Sequence, residues 1–209
     1  VIHPVGTPYP SIQIEAQVAT SMANALVQYQ PDRSDTRAWL RKAERLADYV
    51  SPASAAGTRY IFDAYHLWIG DIPSAVSMLD QFQRYLRKQR ATPLAWIVYY
   101  VIDTTVGWYL LEFEQSRESL RKARVLANES GVHVLDHVLL GQATYAELLT
   151  GNLAMAEALL KEQASLVERT SGVYRTHYEF LVAWLMFLRN DLEHAWAHIH
   201  QSINLLRQE

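Results

Sequence analysis

The sequence predicts an all-α fold, a solenoid of about five helical hairpins stacked one on the next. Three observations carry that expectation. The first is a set of matched columns at a pitch of about forty residues, an interval that marks repeat arrays. Leu40, Leu79, Leu120, Leu160 and Ile199 stand 39, 41, 40 and 39 residues apart. Small side chains precede them by four positions (Thr36, Ala75, Ser116, Ala156, Ala195), and apolar ones follow by six (Leu46, Tyr85, Leu126, Leu166, Leu205). The second is a short acidic or amide residue just upstream of each set, at Asp32, Asp71, Glu112, Asn152 and Asp191. The third is helical rather than alternating apolar spacing, with strand signals absent.

Residues 1–10 hold Pro4, Pro8 and Pro10, which keep the backbone extended and delay the first helix. They read as a Pro-rich leader or linker. The first hairpin spans about 11–51 and turns at Gln30–Asp35, the second 55–90 and turns at Gly70-Asp71. The third spans 92–131, with a turn near Glu112 that lacks glycine. In the fourth, 135–172, Leu135, Val138, Leu139, Tyr145, Leu148 and Leu149 recur at helical spacing up to Gly151-Asn152. Gly and Asn readily take the left-handed conformation that ends a helix. Ala156, Leu159, Leu160, Leu166 and Val167 then mark a second helix, and Ser171-Gly172-Val173 closes it as Ser130-Gly131-Val132 closes the unit before. The fifth, 173–209, turns at Asn190-Asp191. First helices also align, through Met22, Ile61, Ile102, Gln142 and Leu181, and through Tyr29, Trp68, Tyr109, Leu149 and Leu188.

A physical reason stands behind each column. A short acceptor at a helix start satisfies unpaired backbone N–H groups and suits the helix dipole. A small residue lets the second helix lie close to the first, and the apolar columns form the buried stripe. A lone forty-residue unit is at the lower limit of independent folding, so stability is expected from hairpin on hairpin.

Composition narrows the function. Half of the 209 residues are apolar, ample for a core, while a formal net charge of −3 argues against a dedicated nucleic-acid surface. With no cysteine there is neither a disulfide framework nor a thiolate metal site, which is compatible with the cytoplasm. The nearest candidate for a membrane span, Leu94 to Leu111, is broken by Asp103, Thr104 and Thr105, so none is expected. The start also lacks the basic and apolar stretches of a secretory signal.

Gly151-Asn152-Leu153-x-x-Ala156-x-x-x-Leu160 and Gly70-Asp71-Ile72-x-x-Ala75-x-x-x-Leu79 resemble the turn and second helix of tetratricopeptide repeats. At their longer pitch these repeats are similar to the sensor region of ATP-dependent bacterial transcription activators of the maltose-regulator type, in the LuxR family. The resemblance implies a right-handed superhelix lying between an ATPase and a helix-turn-helix that fall outside this segment. It also implies a role in inducer sensing and self-association, with a protein partner or small-molecule inducer, flanking domains of the same chain and cytoplasmic location. The alternative function is a peptide-binding scaffold or adaptor.

First helices of such arrays line the concave face, so their polar groups are the candidate ligand- or peptide-binding residues. They are Arg59, Asp63, His66, Tyr100, Asp103, Thr104, Thr144, Glu147 and Glu179. Arg59 and Asp63 also stand at the i, i+4 spacing of an intrahelical ion pair. His133/His137 and His194/His198 share that spacing, but zinc needs further ligands, and Ala195 stands where a metalloprotease has glutamate. Arg84, Arg87, Lys88 and Arg90 complement a helix C-terminus; Arg117, Arg121, Lys122 and Arg124 cluster on another helix. No phosphate loop, nucleophile elbow or dinucleotide fingerprint is present, and neither catalysis, a metal nor a cofactor is expected. The last helix carries Leu192, Trp196, Ile199, Ile203 and Leu206, apolar surface that predicts self-association or a continuing chain.

Overall fold

The computed structural model describes residues 8–30, 32–88, 91–167 and 172–208. The first seven residues of the leader, Arg90 of the first basic cluster, and Ser171 of the closing tripeptide lie outside these. Among the described residues the protein is all-helical, with ten α-helices, one short 3₁₀ turn and no strand. It divides into two compact units, Val1–Ile102 and Asp103–Glu209, with the boundary inside the fifth helix.

The first unit holds α1 (Ile12–Tyr29), α2 (Thr36–Arg45), the 3₁₀ turn Ala47–Tyr49, α3 (Pro52–Trp68), α4 (Ile72–Lys88) and the start of α5 (Pro93–Tyr109). Ser11 opens α1 by accepting the Ile14 N–H, and Ser51 opens α3 by accepting that of Ser54. Pro52 sits at the first helical position, where its missing N–H costs nothing. α1 packs on α2, α3 on α4, and α1 on α3. Their core joins Ala19, Ala23, Leu26, Trp39, Leu40, Ile61, Phe62 and Tyr65. Lys42 is buried beside it, paired with Glu15 at 2.8 Å and set over the rings of Tyr9 and Trp39. Tyr9, from the leader, is therefore part of this packing.

The second unit holds the end of α5, α6 (Phe113–Ser130), α7 (Asp136–Leu149), α8 (Leu153–Val167), α9 (Gly172–Leu188) and α10 (Leu192–Gln208). Sequential helices α6 to α10 pack pairwise, and α9 also lies on α7. Leu148, Ala156, Leu160, Leu181, Val182 and Leu185 form one buried cluster here. The small column does what its size allows. Thr36, Ala75, Ser116 and Ala156 are fully enclosed, and a Cβ added to Gly107 would come within 2.6 Å of Ser116 Oγ.

Four hairpins share one turn. Gly70, Leu111, Gly151 and Asn190 are all left-handed, with φ of 76°, 63°, 73° and 61°. In each, the next residue's N–H reaches five positions back: Asp71 to His66 O (2.8 Å), Glu112 to Gly107 O (2.7 Å), Asn152 to Glu147 O and Asp191 to Met186 O (2.9 Å each). The left-handed residue itself donates three back, to Leu67, Trp108, Leu148 and Phe187. This is the Schellman closure of a helix C-terminus. The third turn lacks glycine, and Leu111 takes its place in the same backbone geometry. The acidic column is less uniform than its sequence. Asp71 and Asp191 cap the following helix through the N–H of Ser74 and His194. Glu112 forms no side-chain cap, and the Asn152 amide turns back to donate to Glu147 at 2.8 Å. Asp32 lies in the longer first loop, four residues ahead of α2, out of capping reach.

Candidate functional site

The nine candidate residues divide between the two units, and among the described residues no hydrogen bond or ion pair joins any two of them. Four lie in the first unit. Arg59 on α3 turns toward α4, its guanidinium 4.8 Å from the Tyr85 ring and 5.7 Å from that of Phe82. The i, i+4 ion pair with Asp63 therefore does not form. Asp63 is 1 % exposed and neither carboxylate oxygen has a hydrogen-bond partner. Burial pushes its pKa up to about 8, only partly opposed by the nearby Arg59 charge. Tyr100 lies half-buried against Tyr99 and Trp96. His66 alone of the four lines a described cleft, about 400 Å³ in volume, with Arg37, Arg41, Glu44, Tyr65 and Asp71. There His66 Nδ1 donates to Asp71 (3.2 Å) and Arg37 Nε donates to the Tyr65 hydroxyl (3.0 Å).

Of the five in the second unit, all but Thr144 bridge to another helix. Asp103, buried on α5, accepts from Gln115 (2.8 Å) and from Ser119 of α6. Thr104 presents its carbonyl to Ser116 Oγ at 2.9 Å, and Thr144 donates to its own helix at Leu140 O. Glu147 is 3 % exposed and receives Arg117 through Nε (2.7 Å) and Nη2 (3.0 Å). Glu179 accepts from His198 Nδ1 (2.6 Å) and Gln201 (3.0 Å) of α10. One register accounts for much of this burial. Asp63, Thr104, Thr144 and Ala183 occupy equivalent positions on successive first helices, and all four are buried. That register faces the helix packing: Thr144 turns its hydroxyl back onto its own helix, while the Asp63 carboxylate and the Thr104 hydroxyl find no hydrogen-bond partner.

The histidine pairs separate in the same way. His133 and His194 each bond a carboxylate of their own helix start, Asp136 (2.9 Å) and Asp191 (2.8 Å). His137 packs its ring on Tyr174, 4.2 Å away, and burial lowers its pKa. Among the described residues no group of three or more His, Asp or Glu side chains could hold a metal ion. In the second basic cluster Arg121 and Lys122 pair with Glu118, and Arg124 with Glu162.

Two features go beyond the sequence reading, the second by extending the apolar face it found on the last helix. One is a half-buried aromatic stack: Trp108 on Tyr145 (4.8 Å), whose hydroxyl shares a hydrogen bond of 2.9 Å with His177 Nε2. Burial, helped by nearby His137, lowers the His177 pKa to about 4, and burial raises that of Tyr145 to about 12. The signal in the sequence was only a local excess of aromatics. The other is an apolar groove of about 570 Å³ along α9 and α10, lined by Phe180, Trp184, Phe187, Leu192, Trp196 and Ile199. Phe187 is 61 % exposed and Trp196 67 %. The aligned Tyr29, Trp68, Tyr109, Leu149 and Leu188 are likewise exposed at the ends of their helices. No described helix is long and apolar enough to cross a membrane. No family model, curated protein or solved structure matches the chain.

Proposed function

We propose that the chain is a tetratricopeptide-like helical-repeat module, its hairpins wound in a right-handed superhelix, that acts by binding rather than by catalysis. Its role is the sensing or assembly region of a larger bacterial transcription regulator. The observation that supports the repeat reading best is the single turn geometry recurring at residues 70, 111, 151 and 190. In the second unit Asp103, Glu147 and Glu179 are engaged in holding helices together, which leaves the ligand contacts to other surfaces. The polar cleft of the first unit, with Arg37 and Arg41 facing Glu44 and Asp71 on its walls, is the seat for a small polar inducer. Ligand binding there shifts the population toward the shape that binds it better.

The test is a thermal-melting screen of metabolites and nucleotides against the wild type and Arg41→Ala. The expected hit raises Tm by about 2 °C or more in the wild type alone, as mass action requires of a ligand above its Kd. A screen with no shift, or shifts equal in both proteins, removes the small-molecule inducer. The exposed apolar groove on α9 and α10 favours a second reading, a scaffold that binds a protein segment.

A further inference from the structure

The groove on α9 and α10 repeats the seat in which α9 itself lies. Leu148, Ala156 and Leu160, on α7 and α8, cluster with Leu181, Val182 and Leu185 of α9, and Tyr145 and Leu153 pack against them. The turn residues Gly151 and Asn190 set the interval to the next hairpin at 39 positions. Advancing the five seat residues by that interval gives Trp184, Phe187, Leu192, Ala195 and Ile199. All five line the groove. The seat is also used one hairpin earlier. Trp108, in register with Leu148, donates its indole N–H to Gln142 of α7 at 3.0 Å, and Gln142 is in register with Leu181. The same surface thus receives α7, then α9, and is presented a third time with exposed aromatics.

We propose that this groove docks an amphipathic α-helix of a partner protein. That helix presents two branched aliphatic side chains one turn apart and a third next to the first, the pattern of Leu181, Val182 and Leu185. A helix laid in an apolar groove is read through such anchors. The rim decides how it is held. On the filled seat Glu157 pairs with Arg189 at 2.7 Å, and the residue in register with Glu157 is Trp196. An indole in place of a carboxylate asks for no cation on the incoming helix, so the contact is apolar and little screened by salt. Trp and Phe are also the side chains on which such interfaces concentrate their affinity. This proposal rests on the recognition-module reading and adds the partner's chemistry.

The experiment uses the full chain and two labelled, side-chain-stapled helical peptides, followed by fluorescence anisotropy. One peptide carries Leu, Val and Leu at i, i+1 and i+4, and the other carries Ser there. The aliphatic peptide is expected to bind at least about tenfold tighter, and Phe187→Glu to weaken it about tenfold. Raising salt from about 50 to about 500 mM is expected to change its affinity less than about twofold. Tyr29→Glu, at an exposed site in the first unit, serves as the control and leaves binding unchanged. Equal binding of the two peptides, or indifference to Phe187→Glu, overturns the proposal. Sedimentation of the free chain adds a second arm. A monomer supports the partner helix, whereas a dimer dissolved by Phe187→Glu assigns the groove to a second copy and overturns it. An inducer response at the Arg41 cleft that persists while the groove binds nothing removes this inference alone.

Discussion

Asp63 shows how a residue's identity misleads when its register is unknown. From sequence, an Arg and an Asp one helical turn apart read as a solvated ion pair or as a ligand contact. The structure encloses the carboxylate and turns Arg59 onto aromatic rings. What settles the matter is the company Asp63 keeps at its repeat position, Thr104, Thr144 and Ala183, all small and buried. That comparison was within reach of the sequence, but burial is a property of packing and only the fold ranks the columns by depth. The consequence is measurable. A carboxyl whose folded pKa is raised favours the folded state in its protonated form, so stability falls as pH rises from the ordinary carboxylate range through about 8. Asp63→Thr, the residue its own repeat uses, is expected to stabilise the protein by about 1–3 kcal/mol at pH 8 and little at pH 4. Urea denaturation at the two pH values checks this, and equal effects at both would contradict it.

At the scale of the helical hairpin, the turns were legible where glycine marks them. At Leu111 the letter gave no sign. The left-handed conformation is imposed there by the closure of α5, on a side chain that is 66 % exposed. A β-carbon in that region costs about 1–2 kcal/mol, against about 0.5–1 kcal/mol for the extra freedom a glycine loses on folding. Leu111→Gly is therefore expected to stabilise by up to about 1 kcal/mol, with a smaller gain for Asn190→Gly, since asparagine tolerates the conformation better. A shift of the denaturation midpoint at unchanged slope is the readout, and a destabilised Leu111→Gly would show that Leu111 earns its place by contacts. The Arg117–Glu147 strut was hidden for another reason. Its partners are thirty residues apart, and Arg117 read as one of four cations clustered on a single helix.

For the whole molecule, the forty-residue pitch announced an all-helical chain, and helices stand at each predicted turn boundary. The burial of Asp63, Thr104 and Thr144 was not legible, because period alone does not say which face of a helix meets its neighbour. Each unit holds one enclosed group whose pKa burial displaces, and the two act on stability in opposite directions. In the first, Asp63 withdraws stability as pH climbs. In the second, His177 has its pKa depressed to about 4, so the unfolded chain takes up a proton first and stability drains as pH falls from about 6.5 to about 4. Hydrogen exchange read separately over 8–102 and 103–208 should find the first unit better protected at pH 5 than at pH 8, and the second the reverse. His177→Phe should flatten the second response, and matching profiles in both units would refute the assignment.

The shared left-handed turn has a consequence for how such a chain diverges. It constrains one backbone angle and two main-chain hydrogen bonds, and Gly, Leu and Asn all satisfy it here. Selection on the fold can thus leave the turn residue free while holding the interval near forty positions. Kinship among hairpins of this kind is kept in their metre, and descendants can rhyme with one another while sharing few words.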